Sequence, residues 1–161
     1  MSELRVGIGI DAHAFSGEAK LVLGGVEFPG EAGLAGHSDG DVVAHALIDA
    51  VLGAAGLGDI GELFPSGEPE LAGASSTGLL GRAYETVRGA GWELVNADCV
   101  LIGERPRIAP VRDEMRTRLA EAMGVDSGLV AVRATTTDGL GFTGRGEGLA
   151  AQAVALLRRA G

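Results

Sequence analysis

The chain has 161 residues, and its 13 lysines and arginines against 22 aspartates and glutamates give a net charge of −9. A chain of this length fits one domain, here residues 1–161, and can bury a core large enough to fold without cross-links. The negative charge disfavours a nucleic acid as the main partner. The single cysteine cannot form an intramolecular disulfide, and no apolar run suits a signal peptide or a membrane span. We therefore expect a cytoplasmic protein that does not act at a membrane.

The N-terminal segment predicts a strand that runs into two candidate ligands. Apolar residues are interleaved with arginine and glycine over residues 4–10, and Asp11 and His13 follow directly. Because residues two apart in a strand share a face, extended geometry would point these two side chains together. Residues 20–28 predict a second strand with a break at Gly24-Gly25, and hence a hairpin-like excursion.

The rest of the chain predicts helices that alternate with strands. A first helix begins at a cap formed by Ser38 or Asp39 and ends near residue 55. The later elements are a loop over residues 58–77, a helix over 76–88, a strand over 92–102, a helix from Pro110 to Met123, a strand over 129–134 and an alanine-rich closing helix over 147–160. This order predicts an α+β fold in which one mixed β-sheet has helices packed on one face.

All three histidines lie in two short segments, residues 11–13 and 35–49, which also contain four aspartates. Histidine and aspartate together suit a borderline divalent metal such as zinc, and three protein ligands with one open position are the usual catalytic arrangement. The alternative is three unrelated histidines, with His45 paired to an aspartate one helical turn away. The presence of Asp11 and His13 favours the interpretation of His45 as a ligand.

Residues 135–147 form a candidate phosphate site. Three threonines end a predicted strand, and a glycine-rich segment with Arg145 follows, so hydroxyl, guanidinium and backbone N–H groups could all donate to an anion. The segment lacks the glycine-lysine-serine/threonine ending of a Walker loop, and its glycine spacing differs from the dinucleotide-binding fingerprint. The pattern alone leaves two interpretations open, anion binding and a structural turn.

Several strings of residues, taken together, carry a resemblance to a known family. They are Asp11-Ala12-His13, His37-Ser38-Asp39-Gly40-Asp41, His45-Ala46-Leu47, Gly58-Asp59-Ile60-Gly61 with Leu63-Phe64-Pro65, and Ala134-Thr135-Thr136-Thr137 with Gly141-Phe142-Thr143-Gly144-Arg145-Gly146-Glu147-Gly148. In this order, over nearly the whole chain, they resemble the 2-C-methyl-D-erythritol 2,4-cyclodiphosphate synthase family of the non-mevalonate isoprenoid pathway. The resemblance implies a lyase that converts 4-diphosphocytidyl-2-C-methyl-D-erythritol 2-phosphate to the 2,4-cyclodiphosphate with release of CMP.

The resemblance also implies a set of metal ligands. Asp11, His13 and His45 would bind one zinc ion per subunit, and a phosphate oxygen of the substrate would take the fourth position. Asp41 and Asp49 would orient His45 or support the start of its helix.

The substrate contacts follow from the same resemblance. His37 and Thr136 would stabilise the transition state, and Asp138 would help to hold a magnesium or manganese ion at the substrate diphosphate. Residues 103–109 would receive the cytosine, and residues 135–138 the cytidyl diphosphate. The positions implied to contact substrate are Asp11, His13, His37, Ser38, Asp59, Gly61, Gly103, Pro106, Arg107, Ala109, Thr135, Thr136, Asp138, Phe142 and Arg145.

Assembly is implied as well, because members of this family are homotrimers with active sites between neighbouring subunits. The zinc half and the cytidine half of each site would then come from different chains. Phe142, Arg145 and Glu147 would lie near the threefold axis, where a central cavity can hold an isoprenoid diphosphate. Arg145 and Glu147 have a second interpretation, as a contact that stabilises the trimer, and we favour that one.

Some positions depart from the commoner family pattern. Asp138 stands where glutamate is usual and Gly139 where lysine is usual, which bears on how tightly the second metal and the diphosphate are held. Ser66-Gly67-Glu68 and Ala72 also depart from the pattern, and we expect a more mobile loop there. The departures near Asp138 motivate an alternative function, a non-catalytic protein that binds isoprenoid diphosphates. A third hypothesis is a metal-dependent phosphohydrolase, which would release inorganic phosphate instead of CMP.

Overall fold

The computed structural model describes residues 3–65, 67–69 and 74–161. The strands are β1 (Leu4–Ala14), β2 (Val22–Leu23), β3 (Val26–Glu27), β4 (Trp92–Ile102), β5 (Val130–Thr135) and β6 (Gly148–Arg159). The helices are α1 (Val42–Ala55), α2 (Ile60–Leu63), α3 (Ser76–Gly89), α4 (Arg112–Met123) and α5 (Gly141–Gly144). Ser66 and Ala72, for which a more mobile loop was predicted, lie outside the described residues.

One mixed sheet organises the fold. Its strands lie in the order β1-β6-β4-β5, with β4 and β5 parallel and the other neighbours antiparallel. The short strands β2 and β3 form a separate hairpin around Gly24-Gly25. The predictions of a mixed α+β sheet and of this hairpin are confirmed.

Helix α1 lies directly on the sheet, against β1 and β6, and α3 packs on α1 and α4. A side chain at Gly7 or Gly9 of β1 would collide with the α1 backbone at Ala50 or Ala46. Glycine at these two strand positions therefore allows the close approach of the helix. In the described ranges, no helix is both long enough and apolar enough to cross a membrane.

The closing segment is a strand, β6, and the prediction of a helix over residues 147–160 is wrong. β6 is hydrogen-bonded to β1 on one side and to β4 on the other. Helix propensity is a weak preference that tertiary contacts override. Every second residue of β6 is buried beneath α1, and these residues are Leu149, Ala151, Ala153, Ala155 and Leu157. The small alanines leave room for the helix. The period of two in these buried residues indicates a strand, whereas the high alanine content favoured the prediction of a helix.

The start of α1 also differs from the prediction. Its N-cap is Asp41, and neither Ser38 nor Asp39 caps it. The fully buried carboxylate of Asp41 accepts hydrogen bonds from the backbone N–H of Ala44 at 3.0 Å and from those of Gly24-Gly25 at 2.9 and 2.8 Å. Asp41 therefore joins the helix start to the β2–β3 hairpin, which confirms the predicted support of the helix start by this residue.

Two further elements differ in detail. The predicted loop over residues 58–77 contains α2, which Asp59 caps by accepting from the Glu62 N–H at 2.9 Å. Pro110 lies in a 3-10 turn, Ala109–Val111, that precedes α4 rather than in its first turn. A short 3-10 turn accommodates proline, which lacks a backbone N–H, as well as the first turn of an α-helix does.

Replacement of Asp41 by alanine is expected to destabilise the fold by about 3 kcal/mol or more, because a lost N-cap costs about 1 kcal/mol and each buried donor left unpaired costs about 1–3 kcal/mol. Ser75→Ala is the matched control, since Ser75 caps α3 from an exposed position and makes one cap contact, at 3.3 Å. It should cost about 1 kcal/mol. Urea unfolding measures both variants, and equal losses would contradict the role of Asp41.

Candidate active site

Three side chains with metal-binding atoms converge between β1 and α1. Asp11 Oδ2 lies 2.8 Å from His13 Nε2 and 3.0 Å from His45 Nδ1, and the two ring nitrogens are 3.3 Å apart. Asp11 and His13 share one face of β1, as their spacing predicted, and His45 faces them from the first turn of α1. We call Asp11, His13 and His45 the metal cluster.

The geometry of the metal cluster fits a small divalent ion. One donor atom from each residue lies within 4.8 Å of the others. Ligands at a tetrahedral zinc ion, each about 2.0–2.1 Å from the metal, are roughly 3.3 Å apart. The three donor atoms are separated by similar distances, and two imidazole nitrogens with one carboxylate oxygen suit zinc and related divalent metals. The cluster could therefore hold a metal ion.

Contacts within the cluster shift the pKa values of its members. Burial by itself raises the pKa of Asp11, but the hydrogen bonds to His13 and His45 outweigh it and hold this pKa at about 2. The hydrogen bond to Asp11 raises the pKa of His13, against the opposing effect of burial. Asp11 is therefore ionised at neutral pH, which is the form that binds a metal.

A cleft opens in front of the metal cluster. Besides the cluster itself, its lining residues are His37, Ser38, Ile60, Gly61, Phe64 and Leu79. The exposed side chain of His37 donates from Nε2 to the Glu68 carbonyl oxygen over 2.9 Å. The structure thus brings His37, Ser38 and Gly61 together with the predicted metal ligands. Asp59 adjoins this group at the start of α2.

The remaining predicted substrate residues lie elsewhere on the sheet. The Gly103 N–H donates to the Thr135 carbonyl over 3.0 Å, so residues 103–109 and 135–138 adjoin where β4 and β5 end. β1 ends at the same end of the sheet, but β6 and β4 lie between β1 and β5. At about 4.8 Å per strand, His13 and Thr135 are roughly 14 Å apart. Within one chain, these two groups of residues do not line a common cleft among the described residues.

The segment after β5 is a turn with an unusual backbone. Asp138 has φ of 54°, in the left-handed region that aspartate tolerates better than most residues. Thr136 Oγ1 donates to Asp138 Oδ1 over 3.3 Å. The Glu104 carboxylate accepts from the Thr137 and Gly139 N–H groups, over 3.4 and 3.2 Å. The segment is therefore a turn whose backbone N–H groups already bind one carboxylate, which agrees with both interpretations of its glycine pattern.

Two residues that were not predicted to act on the metal ligands, Ser76 and Asp39, stand behind His45. Ser76 Oγ lies 2.8 Å from His45 Nε2, and the Ser76 hydroxyl donates to Asp39. Asp41 and Asp49 were predicted to orient His45 or to support the start of its helix. Asp41 does the second, because it caps α1, and Asp49 accepts from the first N–H of α2 over 2.7 Å. No local pattern could have found Ser76, since it lies on a different helix, 31 residues along the chain.

Comparison with known proteins places the chain in a family. The model of the YgbB family matches residues 4–158. The chain belongs to the YgbB family. It is 57% identical over 163 residues to the 2-C-methyl-D-erythritol 2,4-cyclodiphosphate synthase of Rubrobacter xylanophilus, which covers 99% of this chain and 98% of that protein. It is 55% identical over 154 residues to the synthase of the same name from Moorella thermoacetica, covering 96% and 94% of the two chains.

Solved structures of related proteins share the fold of this YgbB-family chain. The bifunctional IspDF from Campylobacter jejuni superposes with a TM-score of 0.95 at 42% identity, over 99% of this chain and 43% of that one. The CDP complex of IspF from Plasmodium falciparum superposes with a TM-score of 0.85 at 28% identity, over 100% and 99% of the two chains. The family resemblance inferred from the sequence motifs is confirmed.

Proposed function

We propose that this YgbB-family chain converts 4-diphosphocytidyl-2-C-methyl-D-erythritol 2-phosphate to 2-C-methyl-D-erythritol 2,4-cyclodiphosphate and CMP. The observation that carries this proposal is the convergence of the metal cluster with His37 and Ser38 in one cleft, in a chain whose relatives are synthases of this name. A relative of the same fold binds CDP, which shares its cytidine and diphosphate with the substrate. The enzyme is a phosphorus–oxygen lyase, because no water is consumed.

The reaction joins two phosphates within one molecule. An oxygen of the 2-phosphate bonds to the β-phosphorus while the bond from that phosphorus to the bridging oxygen breaks, and the bridging oxygen leaves with CMP. Two like unit charges at about 4 Å repel by roughly 4 kcal/mol at an effective dielectric of 20. When bound, divalent ions would offset this repulsion and polarise the attacked phosphorus. The protein's own residues then hold the two phosphates in line for the displacement.

The metals are assigned from the donor groups. We assign one zinc ion per subunit to Asp11, His13 and His45, supported by their donor types and spacing. We assign a magnesium or manganese ion, held with the substrate diphosphate, to Asp138. Its exposed carboxylate and the hydrogen bond from Thr136 support this assignment.

The catalytic roles fall to groups that can donate to phosphate oxygens. We assign transition-state stabilisation to His37, which lines the cleft with an exposed ring, and to the exposed hydroxyl of Thr136. Fixed donors of this kind stabilise charge that develops during the reaction. The other proposed substrate contacts are Asp11, His13, Ser38, Asp59, Gly61, Gly103, Pro106, Arg107, Ala109, Thr135, Asp138, Phe142 and Arg145.

We further propose a homotrimer whose active sites lie between subunits. The first support is the separation of roughly 14 Å between the zinc half and the cytidine half within one chain. The second is an apolar face of β1 on the side of the sheet away from α1, where Val6, Ile8 and Ile10 are 69%, 56% and 65% exposed. Val154 of β6 pairs with Ile8 and extends this face. An exposed apolar sheet face is typical of a subunit interface.

Ile8→Glu is expected to convert the trimer largely to monomer. Burying an isoleucine contributes about 1.5–3 kcal/mol, and the variant loses this at every subunit while adding a charge that the interface would leave unpaired. Thr86→Glu is the control, because it adds the same charge at an exposed position on α3, away from the sheet. Light scattering measures the mass of both variants, and a trimeric Ile8→Glu protein would contradict this interface.

The loop before β6 supports a contact near the threefold axis. Leu140 and Phe142 are exposed apolar residues, and Arg145 Nε donates to Glu147 Oε1 over 3.1 Å within the chain. We assign Arg145 and Glu147 mainly to stabilising the trimer. Binding of an isoprenoid diphosphate in a central cavity is their proposed secondary role.

The proposed reaction is tested by incubating the purified protein with its substrate, zinc and magnesium. Phosphorus NMR should show CMP and the cyclic diphosphate, and chelation should abolish both until metal is restored. Inorganic phosphate as the product would indicate the phosphohydrolase. Tight binding of geranyl diphosphate by calorimetry, without turnover, would indicate the non-catalytic binder. Metal-replete protein that forms neither CMP nor the cyclic diphosphate would overturn the proposed function.

We also propose that residues 1–161 form a single cyclodiphosphate synthase domain that works in the cytoplasm. The match of the family model to residues 4–158 supports the domain. The lone, buried Cys99 supports the location, because it is suited to a reducing compartment.

A further inference from the structure

The second ring nitrogen of His45 faces away from the metal cluster and into a chain of hydrogen bonds. His45 Nε2 lies 2.8 Å from Oγ of Ser76, which is fully buried as the first residue of α3. The Ser76 hydroxyl donates in turn to Oδ1 of Asp39. The backbone N–H groups of Ser76 and Asp41 donate to the same carboxylate, over 3.0 and 3.1 Å. Asp39 is therefore held in place by three donors.

The hydrogen bonds in this chain have a preferred direction. A carboxylate oxygen accepts hydrogen bonds, so the single hydroxyl proton of Ser76 goes to Asp39. Ser76 Oγ then faces His45 as an acceptor, which favours the form of the ring that has its proton on Nε2. A neutral ring in this form has its lone pair on Nδ1. That nitrogen is the one that lies in the metal cluster, 3.0 Å from Asp11 Oδ2.

We propose that Asp39 and Ser76 are positioning residues that hold His45 with Nδ1 as its metal-binding atom. Ser76 accepts the Nε2–H bond and Asp39 holds the Ser76 hydroxyl, which together fix the ring plane and make Nδ1 a stronger donor. Without Asp39, the Ser76 hydroxyl is free to turn and donate to Nε2, which favours the ring form that has its proton on Nδ1 and cannot bind a metal. The inference rests on the proposed function only in requiring that the cluster binds a metal ion.

The surrounding contacts assign this role to Ser76 rather than to Ser38. Ser38 Oγ is 3.0 Å from His45 Nε2 and 3.3 Å from Ser76 Oγ. In the part of the chain that the structure describes, no carboxylate accepts the Ser38 proton, so nothing fixes the direction of the Ser38 hydroxyl as Asp39 fixes that of Ser76.

Ser76→Ala tests the inference in the full-length protein. Its zinc affinity, measured by competition with a chromogenic chelator, should fall about 10–100-fold. Ser75→Ala, which removes the neighbouring hydroxyl at the start of the same helix, should leave zinc affinity unchanged. In the zinc-loaded protein, NMR should show a slowly exchanging Nε2 proton of His45 in the wild type and in Ser75→Ala. This resonance should be lost to rapid solvent exchange in Ser76→Ala.

The outcomes separate this inference from the proposed function. Ser76→Ala protein that binds zinc as tightly as Ser75→Ala and keeps the slowly exchanging proton would overturn the inference. A different result is that the variants differ in zinc affinity and proton exchange as predicted while the wild-type protein makes no cyclic diphosphate. That result would overturn the proposed function and support the inference. If Ser76→Ala does not fold, Asp39→Asn replaces it, because a neutral amide can donate to Ser76 and free the serine proton for His45. Unchanged zinc affinity in Asp39→Asn would again overturn the inference.

Discussion

His45→Ala protein is expected to bind no zinc and to release CMP at least about a thousandfold more slowly, while staying folded and trimeric. The substitution removes one of three donor atoms that converge in the metal cluster, and Asp11 and His13 alone are too few to hold the ion tightly. A bound metal contributes several kcal/mol to stabilising charge in the transition state, and about 1.4 kcal/mol corresponds to a tenfold change in rate. Metal analysis and steady-state CMP release measure the two losses.

His37→Ala is the matched control for this variant. His37 lines the same cleft, but its side chain is hydrogen-bonded to the Glu68 carbonyl oxygen and not to the metal cluster. It should keep a full complement of zinc and lose about a hundredfold in rate, as expected for one donor to the transition state. Full zinc content in His45→Ala would contradict its assignment as a ligand. A monomeric His45→Ala protein would show that the metal holds the assembly together, contrary to our placement of the interface on β1.

Co-expression of two inactive variants is expected to restore activity. In the proposed site, His45→Ala would damage the zinc half and Thr136→Ala the cytidine half. If neighbouring subunits supply these halves, some sites in a mixed trimer combine an intact zinc half from one chain with an intact Thr136 from the next. Each mixed trimer, of either composition, has one intact site among its three, so activity of the mixed trimers should approach about a third of the wild-type value.

The complementation experiment uses two affinity tags, so that only mixed trimers are purified and assayed for CMP release. Co-expression of His45→Ala with Asp11→Ala is the control, because both variants damage the zinc half and no site can regain it. This control should stay inactive. An inactive mixture of His45→Ala and Thr136→Ala would show that a single chain supplies both halves, which would contradict the proposed site between subunits.

The metal cluster was predictable because each ligand lies on a regular element with a strong local signal. Alternation over residues 4–10 predicted the strand that carries Asp11 and His13, and apolar periodicity predicted the helix that carries His45. Strand geometry then required the first two side chains to share a face. The motif strings indicated the family, because several motifs in a fixed order are far more specific than any one of them.

Other features were wrong or missed because they depend on contacts between distant segments. The alanine-rich segment of β6 has the composition of a helix, and only its position between β1 and β4 beneath α1 makes it a strand. The cap of α1 is Asp41 because a buried hairpin presents two further N–H groups to that carboxylate. Any of the neighbouring polar residues would have satisfied the local pattern for a cap.

The amino-acid sequence was enough to establish the donor types of the metal cluster, their placement on a strand and a helix, and membership of the family. The first two follow from residue chemistry and from periods of two and 3.6 residues, which act over short stretches of chain, and the family follows from the resemblance that the motif strings carry. The positions of Ser76 and Asp39 behind His45, and the separation by β6 and β4 of the strands that lead to the metal cluster and to residues 135–138, became clear only from the folded molecule. Such relations depend on how elements pack and in what order strands pair, and no local pattern carries that information.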